Sequence, residues 1–202
     1  MTKKILFFDT ETTWFIKNFT PIEKQPAVVQ FGWIYWQYTF GEEWIKIEEE
    51  VAIDELFNPG KPIPPECTEV HGITDEMVKE KPSINEFMKW FVAICKDADL
   101  IVWHNIDFDR QIMFLEVDRV RKKDSPEKKE RKKMFVEKQV CTMKGATEFC
   151  SIPSPRGWNK FPKLNELHSK LFGEEFDNAH NAFADIEATK KCFFELKKLS
   201  VL

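Results

Sequence analysis

The chain has 202 residues, 43% of them hydrophobic, which suits one domain with a sizeable core. No apolar run reaches about 18 residues, so no membrane-spanning helix is expected. A net charge of −4 argues against a basic protein that wraps nucleic acid by charge alone, but not against an enzyme that reaches phosphates through metal ions. Nineteen Phe and seven Trp predict an unusually aromatic core or groove. The five Cys, at 67, 95, 141, 150 and 192, show no C-x-x-C spacing, which points to reduced thiols and a cytoplasmic protein. Met1-Thr2-Lys3-Lys4 leads straight into the first strand and leaves no room for a signal peptide.

Ile5-Leu6-Phe7-Phe8 is a short apolar run that reads as a buried strand. It runs into Asp9-Thr10-Glu11-Thr12-Thr13. Residues i and i+2 of a strand share a side, so Asp9 and Glu11 aim two carboxylates at one point. Such a pair repels unless it is neutralised, and a divalent metal is the usual answer. The alternative is an acidic turn at a strand edge. Trp14 to Pro26 reads as a surface loop with exposed aromatic residues. Residues 27–37 and 42–53 read as paired strands turning at Phe40-Gly41, which implies an antiparallel edge.

A loop rich in Pro and Gly follows from Asn58 to Pro65. Glu66 to His71 reads as a short helix stopped at Gly72, where His71 fixes the turn. Thr74 caps another short helix through Lys79. Ser83 and Glu86 form a capping-box pattern for a helix to about Lys96, with Phe87, Trp90, Phe91 and Ile94 at helical spacing. Asp99 to Asn105 repeats the pattern of the first strand, with His104 and Asn105 expected to bond backbone. Asp107 is expected to cap a helix over Phe108–Val120. Arg119 to Lys133 carries nine Lys or Arg against three acids, either a solvated helix pair bent at Pro126 or a phosphate-tracking patch. Residues 135–141 read as a strand, 151–162 as a loop, 163–172 as a helix stopped at Gly173, and 178–199 as the last helix region. His168 falls among Leu residues and reads as structural or exposed. Strand and helix alternate in the second half, which implies an α/β layer fold with ligands beyond the strand ends.

Two more acids belong with the first pair. Asp109 lies just past the second buried strand, and Asp185 sits among Ala182, Ala184, Ile186 and Ala188, where a lone acid is costly unless paired or metal-bound. Five residues of helix turn about 140°, so His180 and Asp185 share a site only if His180 precedes the helix. The motifs are Asp9-Thr10-Glu11, then Asn105-Ile106-Asp107-Phe108-Asp109, then His180-Asn181-Ala182-Phe183-Ala184-Asp185. In this order and spacing they resemble the DEDDh (DnaQ-like) family of 3′–5′ exonucleases. Pro62-Ile63-Pro64 with Val70-His71-Gly72-Ile73-Thr74 resembles that family's second segment. One departure is Trp14, where many members have Gly after the Asp-x-Glu-Thr-Thr run.

The resemblance covers nearly the whole chain and implies a single exonuclease domain over 1–202, with a ribonuclease-H-like mixed central sheet flanked by helices. It implies two Mg²⁺ or Mn²⁺ ions held by Asp9, Glu11, Asp109 and Asp185, with Asp9 helping to bridge them and Asp109 acting mainly through a bound water. Two such ions activate the nucleophile and stabilise the leaving oxygen of an in-line displacement. His180 would take the proton from the attacking water, a task for which an imidazole titrates in the right range. Thr12, Thr13, Trp14 and Asn105 are placed to touch the 3′-terminal nucleotide. Trp14 either stacks on its base or joins the aromatic core with Phe15. The expected substrate is the single-stranded 3′ end of DNA, with RNA as the alternative, and a DNA polymerase is a candidate partner.

Overall fold

A computed structural model describes residues 2–40, 45–120 and 138–202, with side chains omitted at 40 and 45–49. Its strands are β1 (Thr2–Thr12), β2 (Val28–Phe40), β3 (Ile45–Leu56), β4 (Leu100–Trp103) and β5 (Gln139–Cys141). They form one mixed sheet in the order β3-β2-β1-β4-β5. The β1–β2 and β2–β3 pairs are antiparallel, whereas β1–β4 and β4–β5 are parallel. The helices are α1 (Pro65–His71), α2 (Asp75–Val78), α3 (Ile84–Asp97), α4 (Ile106–Val120), α5 (Thr142–Gly145), α6 (Thr147–Cys150), α7 (Leu164–Phe172) and α8 (Ala182–Lys198). This is the ribonuclease-H-like mixed sheet expected from the sequence.

β1 is the axis of the core. Ile5 to Phe8 are at most 1% exposed, because the strand is covered on both faces. Leu6 and Phe8 pack with Phe31, Trp33, Phe91 and Trp103 on the side of α3 and α4. Ile5 and Phe7 pack with Ile34, Tyr38, Ile186 and Phe193 on the side of α8. The period-2 alternation of a strand thus serves two cores at once. Phe8 meets Phe91 edge-on at 5.2 Å and Phe7 meets Phe193 at 5.6 Å, which locks helices to both faces.

Several boundaries depart from the sequence reading. β2 continues to Phe40 and β3 to Leu56, because each strand keeps finding its partner along the ladder, from Gln30↔Leu56 to Phe40↔Ile45. α4 begins at Ile106, so Asp107 lies inside the first turn and is no cap; it pairs instead with Arg110 at 3.1 Å and Lys144 at 2.7 Å. Ser83 caps α3 by accepting the Asn85 N–H at 3.3 Å, and Glu86 takes no part. Asn105 has a left-handed φ of 63°, which ends β4 before the polar pair is reached. Of the expected strand over 135–141, only Gln139–Cys141 is described, and the basic stretch beyond Val120 lies outside the described residues.

The loop before β2 is tied down from α4. The Arg119 guanidinium donates to the carbonyls of Gln25 and Pro26 and pairs with Glu116, which is 1% exposed. Glu116 in turn accepts the Val28 N–H at 3.0 Å. Removing one partner of a buried pair strands the other charge, at roughly 3–5 kcal/mol. Arg119→Ala is therefore expected to lower unfolding stability by about that amount in urea titration, whereas Lys4→Ala, which breaks the exposed Lys4–Asp97 pair, should change little. Equal effects of the two would remove the clamp assignment.

Candidate active site

Asp9 and Glu11 leave the C-terminal end of β1 on the face that α8 covers. Their cross-strand partners on β2 are Gly32 and Gln30. β1 is also where the sheet changes from antiparallel to parallel neighbours, the place where an open sheet forms a crevice. Asp109 comes from the first turn of α4, is 3% exposed, and accepts a hydrogen bond from the Thr10 hydroxyl at 2.8 Å. Thr10 is the residue between the two acids of β1, so one strand supplies two carboxylates and orients a third.

Asp185 and His180 arrive from α8. Asn181 caps that helix, its side-chain oxygen accepting from the N–H groups of Phe183 and Ala184 at 3.2 and 3.1 Å. His180 precedes the cap with a left-handed φ of 69°, and its backbone N–H donates to Asp185 at 3.3 Å. The loop placement inferred for His180 is what the structure has. Ligand atoms of Glu11, His180 and Asp185 all lie within 4.8 Å of one another.

The helix reaches this position because β2 carries no side chain at residue 32. A Cβ there would lie 2.9 Å from the carbonyl carbon and oxygen of Ala182 and 3.0 Å from the Phe183 nitrogen. All three are backbone atoms and cannot rotate away. Gly32 and Thr10 are functional positions that the sequence reading missed. A lone Gly inside the apolar run Val28 to Ile34 was the available signal for close backbone approach. Nothing local marked Thr10 as the partner of a residue 99 positions away.

The electrostatics follow from this crowding. Burial raises the Asp9 carboxyl well above its usual range, and Asp109, Asp185 and Glu11 add to the shift. Glu11 is pushed up to about 9 by burial, then by Asp185 and Asp109. Burial lifts Asp109 to about 7, against the pull of Thr10, and Asp185 to about 6, against the His180 N–H. Among the described residues, no lysine or arginine pairs with any of the four. Hard oxygen donors that repel one another fit a hard divalent cation.

The remaining expectations divide. Thr12 and Thr13 are buried; the Thr12 hydroxyl donates to the Trp14 carbonyl at 2.8 Å, and that of Thr13 accepts the Ala27 N–H at 3.0 Å. Their hydroxyls thus hold the loop. Trp14 belongs to no core cluster; it is 36% exposed, edge-on to Phe15, which itself meets Phe108. Asn105 is exposed, just before the first turn of α4. His104 bridges the Thr142 hydroxyl and the Pro162 carbonyl, both at 3.0 Å, and burial lowers its pKa to about 4. His71 accepts the Ile73 N–H at 3.0 Å, as its turn role requires, and burial, with His180 nearby, lowers its pKa. His168 is buried between Phe172 and Phe176 and is structural.

The raised carboxyls make metal-free stability depend on pH. Unfolded carboxyls ionise near pH 4, so between there and pH 9 the native site holds protons that the unfolded chain has lost. That contribution is present at low pH and is lost as pH rises. His104 works oppositely but only below about pH 6.5. In EDTA the melting temperature is expected to fall from pH 6.5 to 9, and Asp9→Asn should raise it at pH 8 and flatten the slope. Saturating Mg²⁺ should restore most at the upper end. A profile identical for wild type and Asp9→Asn would contradict the assignment.

Comparison with known proteins gives a consistent picture. The RNase_T family model, described as exonuclease, matches residues 6–193. The DNA polymerase III subunit epsilon of Pasteurella multocida is 43% identical over 51 residues, 25% of this chain and 20% of the relative. The PolC-type DNA polymerase III of Streptococcus pneumoniae is 30% identical over 141 residues, 70% of this chain and 8% of the relative. Among solved structures, E. coli exonuclease I in complex with a dT13 oligonucleotide superposes with a TM-score of 0.69 at 17% identity, covering 98% of this chain and 42% of that one. The likeness to exonuclease I establishes a shared fold. The chain spans a fifth or less of these polymerase relatives and under half of exonuclease I.

Proposed function

The chain belongs to the exonuclease family, and from that premise we propose that it is a divalent-metal-dependent 3′–5′ exonuclease acting on DNA, as one domain over 1–202. The observation that carries this reading is the convergence of Asp9, Glu11, Asp109 and Asp185, with His180, where β1 meets the first turns of α4 and α8. The four carboxylates would hold two Mg²⁺ or Mn²⁺ ions. When bound, such ions stabilise the charge that develops on the attacking and leaving oxygens. His180 is exposed at the mouth, where its ring can take a proton from the attacking water, while its backbone N–H steadies Asp185.

DNA is favoured as substrate by the polymerase III relatives and by the oligonucleotide bound to exonuclease I. The same relatives support a DNA polymerase as partner. The free thiols, none of them in a disulfide, support a reducing compartment such as the cytoplasm. A cleft of about 370 Å³ is lined by Thr13, the residue after β1, and by Trp14, Lys17, Lys24, Lys61 and Pro62 among others. It would receive the strand, with Trp14 as a stacking platform and lysines facing the phosphates. Asn105 would reach the terminal nucleotide from the other side, and Thr12 and Thr13 would set the loop that presents Trp14.

The direct test uses single strands of DNA and RNA labelled at either end, with Mg²⁺, Mn²⁺ or EDTA. The expected result is immediate release of a 3′ label as a mononucleotide, stepwise shortening of the 5′-labelled DNA, and silence in EDTA. Internal cuts or first release of the 5′ label would overturn the reading. Asp9→Ala and Asp185→Ala should abolish activity with the fold intact. His180→Gln should lose roughly 10²–10⁴-fold in rate, since an amide can orient water but cannot take its proton.

Trp14 makes a separate prediction. Stacking holds ground state and transition state alike, so Trp14→Ala should raise KM by the equivalent of about 1–3 kcal/mol with kcat little changed. An unchanged KM with a large fall in melting temperature would return Trp14 to a packing role.

A further inference from the structure

We propose that Gln30 is a positioning residue of the active site: it fastens the first turn of α8 to β2, and is itself oriented by Asp54 on β3. The proposal rests on the nuclease reading, because its effect on catalysis runs through Asp185 and His180.

The geometry is a short relay from β3 through β2 to α8. The Gln30 side-chain oxygen accepts the Ala182 N–H at 3.1 Å, and its amide nitrogen donates to Asp54 at 2.7 Å. Gln30 is 3% exposed, so neither end of the amide is free to bond water instead. Only this orientation of the amide satisfies both neighbours, since a carboxylate accepts and an N–H donates. Asp54 therefore decides which way the amide faces.

The first four N–H groups of a helix have no partner within it. In α8 those of Phe183 and Ala184 go to the Asn181 side chain, and that of the cap Asn181 itself to the Asn178 carbonyl at 3.1 Å. All three bonds stay within the helix's own end and the turn before it. Only the Ala182 N–H reaches the sheet, and it does so through Gln30. Gly32 admits the helix backbone to β2 but applies no attraction; Gln30 provides the attachment at the same place.

The consequence for the site is one of leverage. Asp185 follows Ala182 by three residues, less than one turn, and His180 precedes it by two. A slide or roll of this turn moves a metal-binding carboxylate and the proton acceptor together. Loss of a partner that orients a metal ligand costs 10- to 100-fold in affinity or rate, and a misplacement of about 1 Å costs a similar factor. The cleft proposed to receive the strand is lined by Thr13 and Trp14 and does not include Gln30, so strand binding should be spared.

The test uses Gln30→Met, Gln30→Glu, and Gln30→Glu combined with Asp54→Asn, each checked for folding by circular dichroism. Gln30→Met is expected to lower kcat about 10- to 100-fold on a labelled DNA strand with KM within twofold, and to weaken Mn²⁺ binding in calorimetry by a similar factor. In metal-free protein the Ala182 amide should exchange its hydrogen at least tenfold faster, a readout independent of turnover. Gln30→Glu sets a second carboxylate against Asp54 and should be as impaired. Adding Asp54→Asn should recover most of the loss, because the introduced amide can donate to the introduced carboxylate while the Ala182 bond is kept. A Gln30→Met protein with normal kcat, Mn²⁺ affinity and Ala182 exchange would overturn the proposal. If Gln30→Met does not fold, the comparison of Gln30→Glu with the double variant decides, and no recovery counts against it. Wild type and Asp9→Ala run alongside separate the failures: an inactive wild type sinks the nuclease reading and full activity in Asp9→Ala sinks the site assignment, whereas an active wild type and an inactive Asp9→Ala with an unimpaired Gln30→Met sink only the role of Gln30.

Discussion

Repulsion among carboxylates gathered in a buried crevice is the constraint on which the rest of the structure depends. Asp9, Glu11, Asp109 and Asp185 each shift upward in pKa, and burial is the leading cause for all of them. A cluster of this kind is unstable as four free anions and becomes stable when protons or cations are supplied. The scaffold must therefore hold the acids together against their own repulsion before any metal arrives. That requirement explains why the site rests on a rigid strand packed on both faces.

The rigidity has identifiable sources. β1 is buried on both faces, so its end cannot twist without disturbing two cores. α4 and α8 both begin at the crevice, which directs the positive ends of two long helices at the negative cluster and offsets part of the repulsion. Hydrogen bonds then set individual oxygens: Thr10 holds Asp109, and the His180 backbone holds Asp185. Beyond the end of β1, Thr12, Thr13 and the Arg119–Glu116 clamp hold the loop that turns Trp14 outward. Thr10, Thr12 and Thr13 thus do structural work between groups that face the crevice or the solvent.

The same division governs what was legible beforehand. The acids and His180 became legible together: Asp9 and Glu11 alone also read as an acidic turn, and the three motifs in order point to one shared site. The placement of His180 before α8 followed from helix geometry alone. Local rules failed where two of them competed. Asp107 has a cap's composition, but the left-handed Asn105 starts α4 two residues earlier than expected and makes Asp107 an ion-pair partner instead. Ser83 and Glu86 have the spacing of a capping box, yet Ser83 turns to Asn85. Trp14 had two readings, core or platform, and its exposure of 36% speaks against the core.

By itself, then, the sequence determined the donor chemistry, the strand-and-helix alternation and the family, because residue type and short-range periodicity carry those properties. Tertiary structure decided the relations between distant segments. Gly32 meets Ala182, Gln30 bonds a helix 152 residues away, and Thr10 orients Asp109 across 99 residues. These contacts exist only once β2 lies beside β1 and α8 packs across both. Close approach of backbones is a property of the assembled sheet and helix, and no local pattern in either segment encodes its partner.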